Sequence, residues 1–194
     1  SMARFTIVMD YLYTVDSSYL QVFTIQTPAS PEKTERLNIG FDIETIFPYE
    51  QSLFIGSRTG MVIYDITAPA SPVFLSNFNH ATSCDPVVVN GNFAWVTLRG
   101  GNGCGLSGSQ LNVIDISDIQ SPVLLNSFPM SDPFGLAIDR DKLFVCDGSA
   151  GLKIYSISEQ YKLTLLNQFQ VLSYDVILDQ DKAFVIGVEG LFQY

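Results

Sequence analysis

Basic side chains are scarce in this 194-residue sequence, which has 10 Lys and Arg against 20 Asp and Glu and a net charge of −10. Proteins bind nucleic-acid phosphates through clustered Lys and Arg, so this balance argues against a nucleic-acid partner. The same negative charge disfavours binding to an anionic membrane surface. Long apolar runs are missing too, since none approaches the roughly 20 residues of a membrane-spanning helix. The sequence therefore predicts no nucleic-acid partner and no membrane insertion.

Cysteine and histidine are also rare, with three Cys and one His. No C-x-x-C pair occurs, and His80 alone cannot complete the usual Cys and His spacing of a zinc site. Charged residues of all kinds make up only 15% of the chain, against a usual share of about 25%. Because 47% of the residues are hydrophobic and 12% are aromatic, the sequence predicts an ordered, well-packed chain.

Helical spacing of apolar residues is absent as well, and a repeat takes its place. A strand-like apolar segment begins at positions 20, 61, 111, 152 and 191, at separations of 41, 50, 41 and 39 residues. The first three copies are followed by a turn that ends in Ser-Pro. A period of about 40 residues is typical of a repeat architecture.

The first four units each contain four short strand-like segments, and the fifth contains three, separated by turn residues such as Asn90-Gly91-Asn92. The second segment always carries an aromatic side chain at one position: Tyr13, Phe54, Trp95, Phe144 and Phe184. Large apolar residues at a fixed phase indicate faces that are buried between stacked sheets. The sequence therefore predicts an all-β fold, a β-propeller of four-stranded antiparallel blades with about five blades, the last incomplete. A β-solenoid is the alternative, although its repeats are usually shorter and lack hairpin turns.

The expected organisation is a single propeller domain over residues 1–194, or a fragment of a longer propeller. Its units are 1–40, 41–81, 82–130, 131–171 and 172–194. Ser1 leads almost directly into a strand pattern, so we expect any signal or anchor to lie outside this chain. The fifth unit has only three strands, which predicts an unpaired edge at Leu191 to Tyr194. We expect flanking chain of a longer protein to supply the missing strand, or the edge to self-associate.

Two third-strand segments, Met61-Val62-Ile63-Tyr64-Asp65 and Asn112-Val113-Ile114-Asp115-Ile116, are each followed by a turn that ends in Ser-Pro. On these residues the repeat resembles the LVIVD repeat family. The third unit is similar to the form found in surface and envelope proteins of Bacteroidetes-type bacteria. The resemblance implies a propeller-like protein of the bacterial cell surface or periplasm, with no established activity. Unit four departs from the motif, because Ser156 stands where the aspartate would be.

One aspartate lies at the start of the first strand in each later unit: Asp42, Asp85, Asp132 and Asp175. First strands line the channel of a propeller, so these carboxylates are expected near one mouth, where they could bind a hard cation such as Ca²⁺. The alternative is structural, with each carboxylate accepting backbone N–H bonds and tying blades together; repetition in every unit favours it. His80 and Arg99 belong to the same end and complete the candidate ligand-binding set. We predict no catalytic residues.

The third unit contains one long Gly- and Ser-rich loop, from Arg99 to Gln110. It lacks the Gly-Lys-Ser/Thr ending of a phosphate loop. Cys84 and Cys104 flank this region, and the hairpin at Asn90-Gly91 allows a disulfide between them, which would favour an oxidising compartment. Free thiols in a reducing compartment are the alternative. Cys146 is predicted to be a buried, unpaired core residue.

Two classes of function remain open. The first is a non-catalytic binding or scaffold propeller of the cell envelope, with a protein or polysaccharide partner. The second is a hydrolase or lyase that acts on an extracellular polymer through carboxylates at the channel mouth. We favour the first, because the sequence contains no recognisable nucleophile or acid and base pair. The fold alone does not decide between them.

Overall fold

The computed structural model describes residues 4–40, 42–57, 60–79, 86–100, 108–158 and 161–194. Within these ranges the chain forms nineteen strands and no helix. The first four units have the four strands that the sequence predicts, and the fifth has the predicted three. No helix in this part of the chain is long and apolar enough to cross a membrane.

The strands fall into five consecutive units. Blade 1 has β1 (Phe5–Val8), β2 (Tyr11–Val15), β3 (Tyr19–Thr24) and β4 (Glu32–Asn38). Blade 2 has β5 (Ile43–Tyr49), β6 (Ser52–Ser57), β7 (Gly60–Asp65) and β8 (Val73–Asn79). Blade 3 has β9 (Val87–Asn90), β10 (Phe93–Leu98), β11 (Ser109–Asp115) and β12 (Val123–Met130). Blade 4 has β13 (Leu136–Asp139), β14 (Lys142–Cys146), β15 (Leu152–Ile157) and β16 (Leu163–Phe169). Blade 5 has β17 (Ser173–Asp179), β18 (Lys182–Gly187) and β19 (Gly190–Gln193).

Each blade is one antiparallel sheet whose strands pair in chain order. The first strands β1, β5, β9, β13 and β17 pack side by side, each against its neighbour in the sequence. This is the arrangement of propeller blades around an axis, so the predicted all-β propeller fold is confirmed. Blade 5 has three strands among the described residues, so the predicted incomplete last blade is confirmed as well.

The first hairpin of every blade has the same two-residue turn. Its first residue takes a positive φ in all five blades: Met9, Glu50, Gly91, Arg140 and Gln180. A positive φ at this position matches the turn to the right-handed twist of the two strands. Only blade 3 uses the glycine that such a turn prefers.

The hydrophobic core consists of layers between neighbouring blades. Tyr13, Phe54 and Trp95 are almost completely buried, at 0%, 1% and 1% exposure. Each of these rings faces the next blade along the chain, and Trp95 packs in the layer that also holds Leu136 and Leu143 of blade 4. The blades are therefore held together mainly by apolar packing, as the fixed aromatic phase predicts.

The aspartate of the LVIVD-like motif has a local role in the turn. Asp65 Oδ1 accepts a hydrogen bond from Thr67 N at 2.6 Å, and Asp115 Oδ1 accepts one from Ser117 N at 2.8 Å. Hydrogen bonds from Thr67 and Ser117 lower the pKa of these two carboxyl groups. Each aspartate thus starts the turn that leads from the third strand to the fourth.

The two terminal blades each leave one face uncovered. Phe5 in β1 is 62% exposed, although the residues at the same position in the other four blades, Ile46, Val87, Leu136 and Val176, are 0–2% exposed. Leu191 in β19 is 68% exposed, whereas its equivalents Leu20, Met61, Leu111 and Leu152 are 0–1% exposed. Among the described residues β17 makes no packing contact with β1 like those between sequence neighbours. The five blades therefore form an open arc.

Candidate functional site

The candidate residues lie at one end of the blades, which we call the top face. It is formed by the connections from each fourth strand to the next first strand and by the connections from second to third strands. Asp42, Arg99 and Asp132 lie on these connections, and Asp175 lies in the first half of β17. His80, Asp85, Cys84 and Cys104 fall outside the described residues, so their roles and the predicted disulfide stay predictions.

The three described aspartates occupy different surroundings. Asp42 directly precedes β5 and is exposed, and Asp132 lies four residues before β13. The carboxylate of Asp175 accepts a hydrogen bond from Val176 N at 2.9 Å. It also packs against Gly135 of blade 4 so closely that a Cβ there would lie 2.1 Å from Asp175 Oδ1. Asp175 therefore ties blade 5 to blade 4.

No group of three or more His, Cys, Asp or Glu side chains that could hold a metal ion occurs among the described residues. Asp85 is not among the described residues. The Ca²⁺ site at Asp42, Asp85, Asp132 and Asp175 therefore stays a prediction.

Arg99 and Asp132 form an accessible ion pair between blades 3 and 4. Arg99 Nε lies 3.9 Å from Asp132 Oδ1, and the two side chains are 35% and 50% exposed. The Arg99 guanidinium also stacks over the ring of Phe134 at 4.4 Å from the centroid. A half-exposed pair at this distance is weak and can exchange its partners for a ligand.

Beneath this pair lies a buried charge cluster that the sequence did not reveal. The Asp147 side chain is completely buried and lies 2.5 Å from Lys153 Nζ, which is itself mostly buried. Asp147 Oδ1 accepts hydrogen bonds from Ser131 N at 3.0 Å and Asp132 N at 2.7 Å. This cluster fixes the backbone that carries Asp132. The sequence feature that points to this cluster is Lys153, a charged residue within the mostly apolar strand β15.

Further contacts join the same segment to the blades on either side. Thr97 Oγ1 of blade 3 donates a hydrogen bond to Phe134 O at 2.9 Å. Gly135 N donates one to Tyr174 O of blade 5 at 2.8 Å. The rings of Phe134 and Tyr174 meet edge to face with centroids 5.0 Å apart. The Phe134 segment is thus held by three blades at once and forms a rigid base for Arg99 and Asp132.

Cys146 lies inside the core below the same end of blade 4. It is completely buried and unpaired, which confirms its predicted role. Burial raises the pKa of its thiol to about 12, partly offset by the neighbouring Ser173 hydroxyl. A thiol with this pKa is inert at neutral pH.

A groove with partly apolar walls lies away from the Arg99 pair, between blades 4 and 5. Its volume is about 690 Å³, and its walls include Phe144, Ile154, Phe169, Leu178 and Tyr194. Charged residues of the two first hairpins, among them Arg140 and Asp181, lie at its edge.

In sequence, residues 49–80 and 82–129 match the LVIVD repeat. These ranges contain the third-strand motifs of blades 2 and 3 with their Ser-Pro turns. No curated protein sequence matches this chain.

In fold, the chain is similar to many solved structures, with 352 matching chains, so the fold alone does not point to one function. BamB from Moraxella catarrhalis aligns with a TM-score of 0.72 at 7% identity, over 97% of this chain and 55% of that one. A protein from Lactobacillus plantarum aligns with a TM-score of 0.80 at 12% identity, over 95% and 63%. The periplasmic gluconolactonase of Pseudomonas aeruginosa aligns with a TM-score of 0.74 at 14% identity, over 95% and 62%.

At these identities the structural similarity establishes the fold only, and this chain spans between 55% and 63% of the length of those three structures. The repeat match covers the two blades in which the motif aspartates start the turns. Residues 49–80 and 82–129 match the LVIVD repeat, and the whole described chain has a β-propeller fold.

Proposed function

We propose that this chain is a non-catalytic binding or scaffold propeller of the bacterial cell envelope. It presents the top face around Arg99 and Asp132 to a protein or polysaccharide partner. The observation that supports this most is the rigid base under an accessible ion pair: Asp147 and Lys153 fix the backbone from below, and three blades hold Phe134.

An accessible cation beside an accessible carboxylate suits a partner that carries both donors and acceptors. Arg99 stacked on Phe134 also offers a flat surface beside its charge. Sugars and peptides supply hydroxyl, amide and carboxylate groups that fit such a surface. Asp42 and Asp175 extend the proposed site along the top face, and His80 and Asp85 belong to it by the sequence prediction alone.

A glycan array that includes neutral and acidic bacterial polysaccharides tests the proposal. We expect Arg99→Ala and Asp132→Ala each to weaken binding of the best glycan at least tenfold. The matched control is the exposed Asp139–Arg140 pair on the opposite face, with Nε and Oδ1 4.0 Å apart. Arg140→Ala and Asp139→Ala should leave binding within about twofold, because exposed pairs contribute little beyond their own contacts.

The alternative function, a hydrolase or lyase, makes a different prediction for the same glycans. The half-exposed carboxylate of Asp132 is the observation in its favour. New reducing ends or unsaturated sugars, formed by the wild type and lost in Asp132→Asn, would replace the binding proposal with the enzymatic one. Binding without turnover supports the scaffold.

Calcium binding is a separate part of the proposal. Titration of the protein with CaCl₂ in a calorimeter should give saturable heat if Asp42, Asp85, Asp132 and Asp175 share an ion. Asp42→Asn should reduce that heat, whereas Asp139→Asn should not. An identical titration of wild type and Asp42→Asn contradicts the shared site.

An extracytoplasmic location is proposed on two grounds. The LVIVD repeats resemble those of envelope proteins, and one structural neighbour is a periplasmic protein by its description. Thiol counting in denaturant tests the linked disulfide: one free thiol is expected, from Cys146, with Cys84 and Cys104 joined. Three free thiols in protein made under oxidising conditions would contradict the disulfide.

A further inference from the structure

The third strand of blade 5 has a free edge. In blades 1 to 4 the third strand pairs with the second strand on one side and with the fourth on the other. β19 pairs with β18 only. All nineteen strands of the described chain already belong to the five sheets, so this part of the chain has no spare strand for that edge. A row of unpaired N–H and C=O groups is a template for another strand.

Gly190 lies at the start of β19, at a position that in complete blades lies beside the outer strand. Glycine occupies the same position in blades 2 and 4, as Gly60 and Gly151. A Cβ there would lie 2.2 Å from Phe78 O and 2.0 Å from Phe169 O, the carbonyl groups of the adjacent outer strands. At Gly190 nothing lies within 4 Å of the same point. Blade 5 therefore shares this glycine with two of the four blades that have an outer strand, whereas blades 1 and 3 have Tyr19 and Gln110 there.

The groove between blades 4 and 5 lies where that strand and its side chains would pack. Between blades 3 and 4, the corresponding space is filled by Tyr155, Ile157 and Leu163, from the end of a third strand and the start of a fourth. Blade 5 ends this series at Tyr194, whose ring lies 4.5 Å from that of Phe169. The remaining space is the groove of about 690 Å³, which Phe144, Ile154, Phe169 and Leu178 line together with charged residues of the two first hairpins.

We propose that an extended apolar segment, supplied by polypeptide outside these 194 residues, pairs antiparallel with β19 and completes blade 5. The outer strand of blade 4 shows what such a segment contributes, because Leu163 at its start packs in the layer against blade 3. The outer strand of blade 1 is charged, with Glu32, Lys33, Glu35 and Arg36, and has no apolar residue at its start. A second copy of this chain could pair its own free β19 edge with this one, and the oligomeric state of the protein alone distinguishes that occupant.

This site is independent of the proposed top-face function and can be tested with a synthetic peptide. The probe is a fluorescein-labelled peptide with the sequence of residues 156–170, which contains β16. Its anisotropy should rise saturably when the 194-residue protein is added. A peptide with the charged sequence of residues 28–39 should bind at least tenfold more weakly.

Two glycine variants locate the binding. Gly190→Ala should weaken the residue 156–170 peptide at least tenfold, because its methyl group would meet the peptide carbonyl as it would at Gly151. Gly40→Ala is the matched control, since Gly40 has a similar φ of +132° against +123° and also has nothing within 4 Å of its Cβ position. Peptide binding by Gly40→Ala should stay within twofold of wild type.

Hydrogen exchange of the wild-type protein gives a readout that does not depend on a variant folding. The amides of residues 191–193 should become protected at saturating peptide. The proposal is overturned by equal peptide affinity of wild type and Gly190→Ala, by exchange at 191–193 that the peptide leaves unchanged, or by no binding at about 100 μM peptide, a ΔG° of roughly −5.5 kcal/mol. It is also overturned if the protein alone is a dimer that Gly190→Ala dissociates, since the occupant would then be a second copy.

Discussion

Asp147 and Lys153 form a buried ion pair at the base of the candidate site. Removing one partner of such a pair leaves an uncompensated charge, which typically costs about 3–5 kcal/mol. We therefore expect Lys153→Met to lower the free energy of unfolding in urea by about 3 kcal/mol or more. The hydrogen bonds from Ser131 N and Asp132 N remain in this variant and do not neutralise the carboxylate.

The exposed pair of Asp139 and Arg140 provides the control for that measurement. Its side chains are 51% and 89% exposed, so Arg140→Met should change the free energy of unfolding by less than about 0.5 kcal/mol. Similar losses in the two variants would mean that water reaches Asp147 and that the buried cluster does not fix the Asp132 backbone.

Cys146 should make the protein less stable at alkaline pH. Burial raises the pKa of its thiol from 9.0 to about 12, so the unfolded chain loses this proton first as the pH rises. The contribution is fully present below pH 9 and is lost between pH 9 and pH 12, at up to about 1.4 kcal/mol per pH unit. Urea unfolding at pH 8, 9 and 10 should show a smaller loss above pH 9 in Cys146→Ala than in wild type.

Between pH 9 and pH 10 the loss of stability comes mainly from Cys146, because the tyrosines have a higher ordinary pKa. Burial raises the pKa of Tyr13 from 10.0 to about 12, and it raises that of Tyr64 and Tyr155 as well. Their contributions are lost only above pH 10. Parallel pH profiles of wild type and Cys146→Ala below pH 10 would refute the assignment.

At the scale of single residues, the sequence predicts positions that repeat. The burial of Trp95 and Tyr13 was predictable because an aromatic residue recurs at their position in every blade. The burial of Cys146 was predictable because small residues, Gly56 and Thr97, stand at its position in blades 2 and 3. The counterpart of Asp147 in blade 1, Asp16, accepts hydrogen bonds from its own turn, whereas the partner of Asp147, Lys153, lies six residues away across a turn. A pairing made by one blade alone leaves no periodic signal, so this part of the site was not predictable.

At the scale of strands and turns, the glycines at the start of the third strands allow a matched comparison. Gly151 has a φ of +89° and Gly190 a φ of +123°, both unfavourable for alanine. Only at Gly151 would the added Cβ also meet the backbone of an outer strand. Gly151→Ala should therefore cost about 2 kcal/mol more than Gly190→Ala in thermal or urea unfolding.

The comparison also has a direct internal check. If the added methyl group at Gly151 forces β16 away, the amides of residues 164–169 should exchange faster in Gly151→Ala. Equal stability losses in the two variants would mean that φ strain alone accounts for both, and that β16 yields to the methyl group without cost.

The strands themselves were predictable because each unit repeats the same alternation of apolar residues and turn signals. The turn at Asn90-Gly91 has a glycine, but the turns at Met9 and Glu50 have the same positive φ without one. The pairing of the two strands imposes the positive φ, so the turn conformation cannot be predicted from the preferences of the turn residues alone. In blades 1 to 4 the pairing between the third and fourth strands shifts register once. This irregularity also depends on strand pairing and was not predictable from the local sequence.

At the scale of the whole molecule, every interface between neighbouring blades joins one face of a blade to the opposite face of the next. The arc therefore ends in two different faces, that of β1 with Phe5 and that of β19 with Leu191. The repeat period predicts the blades, but it does not determine the angle between them. Whether five blades close on themselves depends on that angle, which is set by side-chain packing in the layers between them.

The open arc predicts that equivalent leucines differ in their effect on stability. Leu111 and Leu191 occupy the same repeat position, at 0% and 68% exposure. Leu111→Ala should cost about 2–5 kcal/mol, the usual range for a core leucine, because it leaves a cavity. Leu191→Ala should cost less than about 1 kcal/mol, because the side chain is already in water. At the other end, Leu136→Ala and Phe5→Ala form the same contrast, since their exposures are 0% and 62%.

Urea unfolding should be measured at two protein concentrations that differ tenfold, because a face covered by self-association would make the stability depend on concentration. A cost of Leu191→Ala that matches that of Leu111→Ala at both concentrations would contradict the open arc and require that blades 1 and 5 meet within one chain.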